Sequence, residues 1–210
     1  MAADSEEKEG FQHWEVLFGV VLALFAAALA VCDLGAGKYG DDELMAVNEK
    51  AAAHMWYQSK SIKESLAEGQ SELLATLLET GSIGEQARAG AEAQRDKLHA
   101  KAERYGREKT EILKGSAAVG KENQVQEKDG ELGRIIGADE WQKKAEELGR
   151  VGDVFDMGTL YLQMCLVLGA IGLVVHVPRM KVAFFLGMLS LGLLGSYQTW
   201  AAYSLAWAMG

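Results

Sequence analysis

The chain has 210 residues, a formal net charge of −9 and a hydrophobic fraction of 49%, enough for one or two ordinary domains. It carries no basic face large enough to attract nucleic acid, so nucleic acid is not expected as a partner. Its two cysteines, Cys32 and Cys165, both sit in apolar stretches, which leaves no disulfide framework or cysteine-based metal site in the charged part.

Residues 16–34 and 157–207 are almost wholly apolar, whereas residues 35–156 hold 18 of the 21 Lys and Arg and 24 of the 30 Asp and Glu. The middle segment contains no proline and is rich in Ala, Glu, Lys, Gln and Leu, with little Val or Ile. That composition favours helix over strand. The expected fold is all-α: an integral membrane protein with three transmembrane helices and a long extramembrane helical hairpin whose return leg is broken.

In chain order, residues 1–15 are an acidic tail. Transmembrane helix 1 is expected over 16–34, where VLFGVVLALFAAALAVC has no charge over seventeen residues. At 1.5 Å per residue it covers roughly 25 Å of a ~30 Å hydrocarbon core. Phe11 and Trp14 suit an interface. The acidic residues before the span do not suit a cleaved signal peptide, so it reads as a retained helix. Asp33, within one turn of the end, reads as a snorkelling side chain.

Gly35-Ala36-Gly37-Lys38-Tyr39-Gly40 matches G-x-G-x-x-G. A dinucleotide site needs a strand before that motif and a βαβ unit around it. A membrane span precedes it here, so it reads as a flexible joint at the membrane surface, and no bound nucleotide is expected.

The extramembrane segment, 35–156, opens with a helix over 41–80 that follows span one directly. Leu44, Met55, Leu66 and Leu77 recur every eleven residues, as do Ala51, Ile62 and Leu73, and Met45, Trp56, Ala67 and Leu78. Eleven residues in three turns keep an apolar stripe nearly parallel to the helix axis. Gly81-Ser82-Ile83-Gly84 is a turn signal. A second helix over 85–113 has Ala91, Leu98, Tyr105 and Ile112 seven apart. That register matches the eleven-residue stripe poorly, so the stripe containing Met45, Trp56 and Leu78 is expected to need cover from another chain or from the folded-back 115–150 piece. The outgoing leg has about forty residues and the return about seventy, so the return must break, and glycines 115, 120, 130, 133 and 137 mark where. An amphipathic piece from Asp139, with Trp141, Leu148 and Val151, leads into the second span.

Transmembrane helices 2 and 3 are expected over 157–177 and 182–207, joined by Pro178-Arg179-Met180-Lys181. Asp153 and Asp156 suit a cap on the second span. Trp200, Tyr203 and Trp207 suit an interfacial belt. Small pairs four apart, Cys165 with Gly169, Ala183 with Gly187 and Gly192 with Ser196, suit close helix packing. Arg179 and Lys181 place their loop in the cytoplasm by the positive-inside rule, and the charged segment on the other side. Span interiors offer Gln163 and little else that is polar, which argues against a midplane transport site. The four histidines are scattered without metal-ligand spacing, and His54 reads as a helix-packing residue.

Two stretches resemble a known family. Asn48-Glu49-Lys50 with Trp56-Tyr57-Gln58-Ser59-Lys60-Ser61-Ile62-Lys63 is similar to one signature, and Arg104-Tyr105-Gly106-Arg107-Glu108-Lys109-Thr110-Glu111-Ile112 to another. Both belong to a bacterial membrane-protein family filed as domain of unknown function 4337. Here Met55-Trp56-Tyr57 is one residue tighter than the family spacing. The resemblance implies the three-span architecture and a bacterial envelope location, but no activity; together with the positive-inside reading, the expected place is the bacterial inner (plasma) membrane with the charged segment periplasmic.

The function expected is that of a non-enzymatic membrane scaffold, without cofactor or metal, that self-associates as a homo-oligomer in membrane lipid. The candidate interface is Leu44, Met45, Met55, Trp56, Tyr57, Lys60, Leu66, Leu77 and Leu78. The alternatives are an accessory subunit bound to other membrane proteins and a small channel-forming protein.

Overall fold

A computed structural model describes the backbone of residues 2–209 and the side chains of residues 14–209. The side chains of Phe11 and His13 lie outside the described residues. The elements are α1 (Ala2–Glu79), α2 (Glu85–Lys114), α3 (Ser116–Val119), a 3-10 turn (Lys121–Asn123), β1 (Glu127–Lys128), β2 (Glu131–Leu132), α4 (Ala138–Val174) and α5 (Pro178–Ala208). They divide into two units, one made of the residues up to Glu43 with those from Glu146, the other of Leu44–Ala145.

The first unit is a three-helix bundle. Each helix is long and apolar enough to cross a membrane. Burial recurs every seven residues: Phe18, Phe25 and Cys32 on α1; Phe155 and Leu162 on α4; Met188, Gly195 and Ala202 on α5. This is the register of knobs-into-holes packing. Its large knobs meet glycines. A Cβ on Gly35 would overlap the Phe155 ring, one on Gly192 would overlap Phe25, and one on Gly172 would lie 2.6 Å from Phe18 Cε1. The Phe155 ring also stacks on Tyr39 at 5.6 Å and meets the Tyr203 edge at 4.9 Å.

Three expectations change in this unit. Residues 35–40 form no joint, because α1 is helical through all of them and Gly35 is the hollow that takes Phe155. Asp153 and Asp156 cap nothing, because α4 begins at Ala138 and passes through them. The turn between α4 and α5 is Val175–Val177, and Pro178 opens α5, where a missing N–H costs nothing. Of the small pairs, Cys165, Gly169 and Gly192 are buried, while Ala183 is exposed. Asp33 accepts a hydrogen bond from Thr159 Oγ1 at 3.1 Å, and Lys181, almost fully buried, pairs with Glu15 at 3.7 Å.

The second unit holds residues 44–79 of α1 beside the antiparallel α2. On α1 the positions turned inward are Ala46, Lys50, Ala53, Tyr57, Lys60, Glu64, Ala67, Ser71, Leu74 and Leu78, spaced alternately by four and three. On α2 they include Ala91, Leu98, Ala102, Tyr105, Lys109 and Ile112. Both helices therefore present a seven-residue register, and they match. The seam on α1 escapes a search for large apolar residues because alanine, serine and charged side chains fill most of it.

The return leg breaks at Gly115, where φ is +90°, and long helix resumes only at Ala138, after the single turns of α3 and Lys121–Asn123. Gly137 comes so close to the backbone of Leu113 to Gly115 that any Cβ there would overlap it. Between them, β1 and β2 form a short antiparallel hairpin that composition did not suggest. Its turn is Asp129-Gly130, both at positive φ, the dipeptide that favours tight hairpins.

Candidate functional site

The two stretches singled out in the sequence meet across α1 and α2. Lys60 pairs with Glu108, and Lys109 pairs with Glu64. The Lys60 ammonium lies over the Tyr105 ring at 5.6 Å, and the Lys109 ammonium over Tyr57 at 5.5 Å. Each helix thus offers one tyrosine, one lysine and one glutamate, and each lysine reaches both an acid and a ring of the other helix. Arg104 Nε adds a second donor to Glu108 at 2.8 Å. Glu108 is buried, and two cationic partners satisfy its carboxylate. The Glu64 partnership raises the Lys109 pKa above its ordinary value, chiefly through the hydrogen bond and against the opposing effect of burial.

One turn further on, Glu111 is fully buried and organises the broken leg. One carboxylate oxygen accepts the Ser116 hydroxyl at 2.7 Å. The other accepts the backbone N–H of Val125 and of Gln126, each at 3.0 Å. Ser116 Oγ in turn accepts Ile135 N–H, and Ser116 N–H donates to Ile135 O. A buried carboxylate with three donors is satisfied, and it ties both ends of an otherwise irregular excursion to α2. Ile112 packs with Ala53 and Ala138 beside it.

Tyr57, Lys60, Arg104, Tyr105, Glu108, Lys109, Glu111 and Ile112 fall in the two stretches that resemble the family, and in this structure they tie α1, α2 and the 115–137 excursion together. The family described as Domain of unknown function (DUF4337) matches residues 14–205. The chain belongs to that family. No curated protein and no solved structure matches it.

The candidate interface residues fall into two sets in this family member. Tyr57, Lys60 and Leu78 turn inward, with Leu77 partly covered. Leu44, Met45, Met55, Trp56 and Leu66 are exposed. Trp56 borders a shallow pocket lined by Glu49, Ala53, Lys128, Ile136 and Trp141, so the folded-back piece shelters its flank. Leu78 is thus internal, and the outward surface is the stripe Leu44, Ala51, Met55, Ile62, Leu66 and Leu73. Met55 and Ile62 are 65% and 69% exposed.

At 100° per residue that stripe lies about 180° from the seam, on the opposite side of the helix. A strip about 120° wide around it runs from Leu44 to Thr80, about 54 Å at 1.5 Å per residue. Leu, Ile, Val, Met, Ala, Ser, Thr, Asn, Gln and Gly occupy it. None of the eight charged residues between 44 and 79 falls on it. The sequence made the stripe visible, but not its position behind a filled seam.

No group of three or more His, Cys, Asp or Glu side chains among the described residues is placed to hold a metal ion. His54 is exposed.

Proposed function

We propose that this protein is a non-enzymatic membrane scaffold that crosses the bilayer three times and self-associates through the outward face of α1 between Leu44 and Thr80. The uncharged face carries this reading. On a segment whose other surfaces are densely charged, large side chains such as Met55, Ile62, Leu66 and Leu73 stand in the open along one line. An exposed strip of this length that carries a line of large apolar side chains and no charge marks an interaction surface. The seam opposite is filled by α2 within the chain, so the strip is not needed for the hairpin itself. Three helices of sufficient length and apolarity supply the anchor, and Arg179 with Lys181 favours a cytoplasmic turn between the last two, with the charged segment periplasmic in a bacterial inner membrane.

The test is native mass spectrometry in mild detergent. Wild type is expected as a single-component oligomer, and the double variant Met55→Glu, Ile62→Glu as a monomer with unchanged helical circular dichroism. An oligomer that survives both glutamates overturns this face as the interface. A wild type that is monomeric alone and assembles only with foreign chains replaces the scaffold reading with that of an accessory subunit.

A further inference from the structure

We infer that the second copy on this face runs parallel to the first and in register, so that Met55, Ile62, Leu66 and Leu73 each meet their own counterparts. The inference rests on the self-association proposed above and specifies its geometry. Copies inserted in one bilayer with one orientation begin residues 44–79 on the same side of the membrane, directly after the same span. Two such helices meeting along the same face pair residue with identical residue.

That pairing imposes a condition that other partners do not. In a parallel in-register contact a charged side chain on the contact line opposes its own copy, and like charges at contact distance repel. A foreign partner, or an antiparallel copy, can set an acid against a lysine and tolerates charge on the face. The strip carries none across Leu44–Thr80, although all the remaining surface of that helix is punctuated by Glu and Lys. Absence of charge on one face of so charged a helix is what a surface that meets itself requires.

The register agrees. A seven-residue seam follows its partner around a left-handed supercoil, so it suits α2. A stripe at eleven residues, 3.67 per turn, keeps nearly one direction along the axis and suits a straight neighbour outside the hairpin. The exposed side chains of the stripe amount to several hundred Å² of apolar surface, somewhat below the ~800 Å² that each partner of a standard interface buries. Confinement in a shared bilayer, which raises the effective concentration of one copy for another, offsets that shortfall.

Disulfide trapping tests the geometry. The native cysteines are both buried and stay in place, with wild type as the blank. Met55→Cys, Ile62→Cys and Leu73→Cys are introduced singly, with Glu68→Cys as an exposed position off the strip, and membranes are oxidised with copper phenanthroline. Covalent dimers are expected at 55, 62 and 73, and none at 68 or in wild type. Linkage at 62 alone, or between mixed Met55→Cys and Leu73→Cys chains but not within either, shows antiparallel pairing and overturns the inference. Equal linkage at 68 shows random collision and overturns it too. No linkage at any position in a protein that is oligomeric by native mass moves the interface elsewhere. A monomeric native mass defeats the self-association itself, which keeps the two failures apart.

Discussion

In the apolar unit the buried register is filled by aromatic rings set into glycines, as Phe25 is against Gly192 and Phe155 against Gly35. In the charged unit the same seven-residue register holds alanines, two tyrosines and two crossed lysine–glutamate pairs. The spacing is common to both, and the chemistry that fills it is not. On the proposed reading the apolar unit sits in lipid, where helices gain nothing from hiding apolar surface from each other, so contact shape decides. In water, shape alone would leave an alanine-rich seam weakly held, since each alanine buries little area. The crossed ion pairs, each lysine also lying over a tyrosine, add direction and fix which turn of α2 meets which turn of α1. The charged unit also carries a detour that the apolar unit lacks, and a buried carboxylate, Glu111, anchors it with three hydrogen bonds.

That contrast breaks most severely at Glu111. Replacing it with alanine leaves Ser116 Oγ and the N–H groups of Val125 and Gln126 without their buried acceptor. Each unsatisfied group costs about 1–3 kcal/mol, which together exceeds what a short excursion can supply. Glu111→Ala is expected to open residues 115–137 to limited proteolysis while the thermal transition of the apolar unit stays where it was. Wild-type resistance in the variant would mean that the excursion is held by something else.

In the apolar unit the corresponding change is one of volume. Gly192→Leu puts a branched side chain where the Phe25 ring lies, and overpacking of this kind costs about 1–3 kcal/mol. Phe25→Ala alone leaves a cavity, at about 3–5 kcal/mol. Together they are expected to be less harmful than the sum, because the leucine fills part of the space the ring vacates. The readout is thermal denaturation in detergent for the two single variants and the pair. Strict additivity would show that ring and glycine do not share one site.

The sequence made some of this legible and hid the rest for identifiable reasons. The apolar runs and the turn at residues 81–84 were readable because length, charge and glycine leave strong marks. The broken return leg was readable from the unequal legs and from glycines 115–137. The α1 seam was not, because Ala46, Ala53, Lys60, Glu64, Ala67 and Ser71 look like a solvated face until a partner with Tyr105, Glu108 and Lys109 is set against them. The hairpin at Asp129-Gly130 was missed because two-residue strands have no periodicity to detect. Glu111 stands in the second stretch that resembles the family, but nothing in its spacing marks it as buried, since a glutamate in so charged a helix is ordinarily exposed, and only its three donors reveal its role. The large residues that did stand out, Met55, Ile62 and Leu66, marked the outward face and drew attention away from the inward one.

The smallest expected effect separates charge from packing in the crossed pairs. The Lys109 ammonium is held above its ordinary pKa of 10.5 by its hydrogen bond to Glu64. A base whose folded-state pKa is raised binds its proton more tightly in the folded protein. Its contribution to stability is therefore complete below the unfolded value and disappears as pH rises through the folded one. Lys109→Met keeps most of the chain length over the Tyr57 ring and removes the charge. The gap in urea midpoint between wild type and Lys109→Met should hold steady from about pH 7 to about pH 10 and close as pH climbs beyond 10.5. Its size should be about 1 kcal/mol or less, since the pair is partly open to solvent, and it should shrink in high salt at neutral pH. A gap that stays constant into strong alkali would assign the contribution of Lys109 to its methylene stem against Tyr57. The crossed pairs would then be, like the rings and glycines of the apolar unit, a matter of shape.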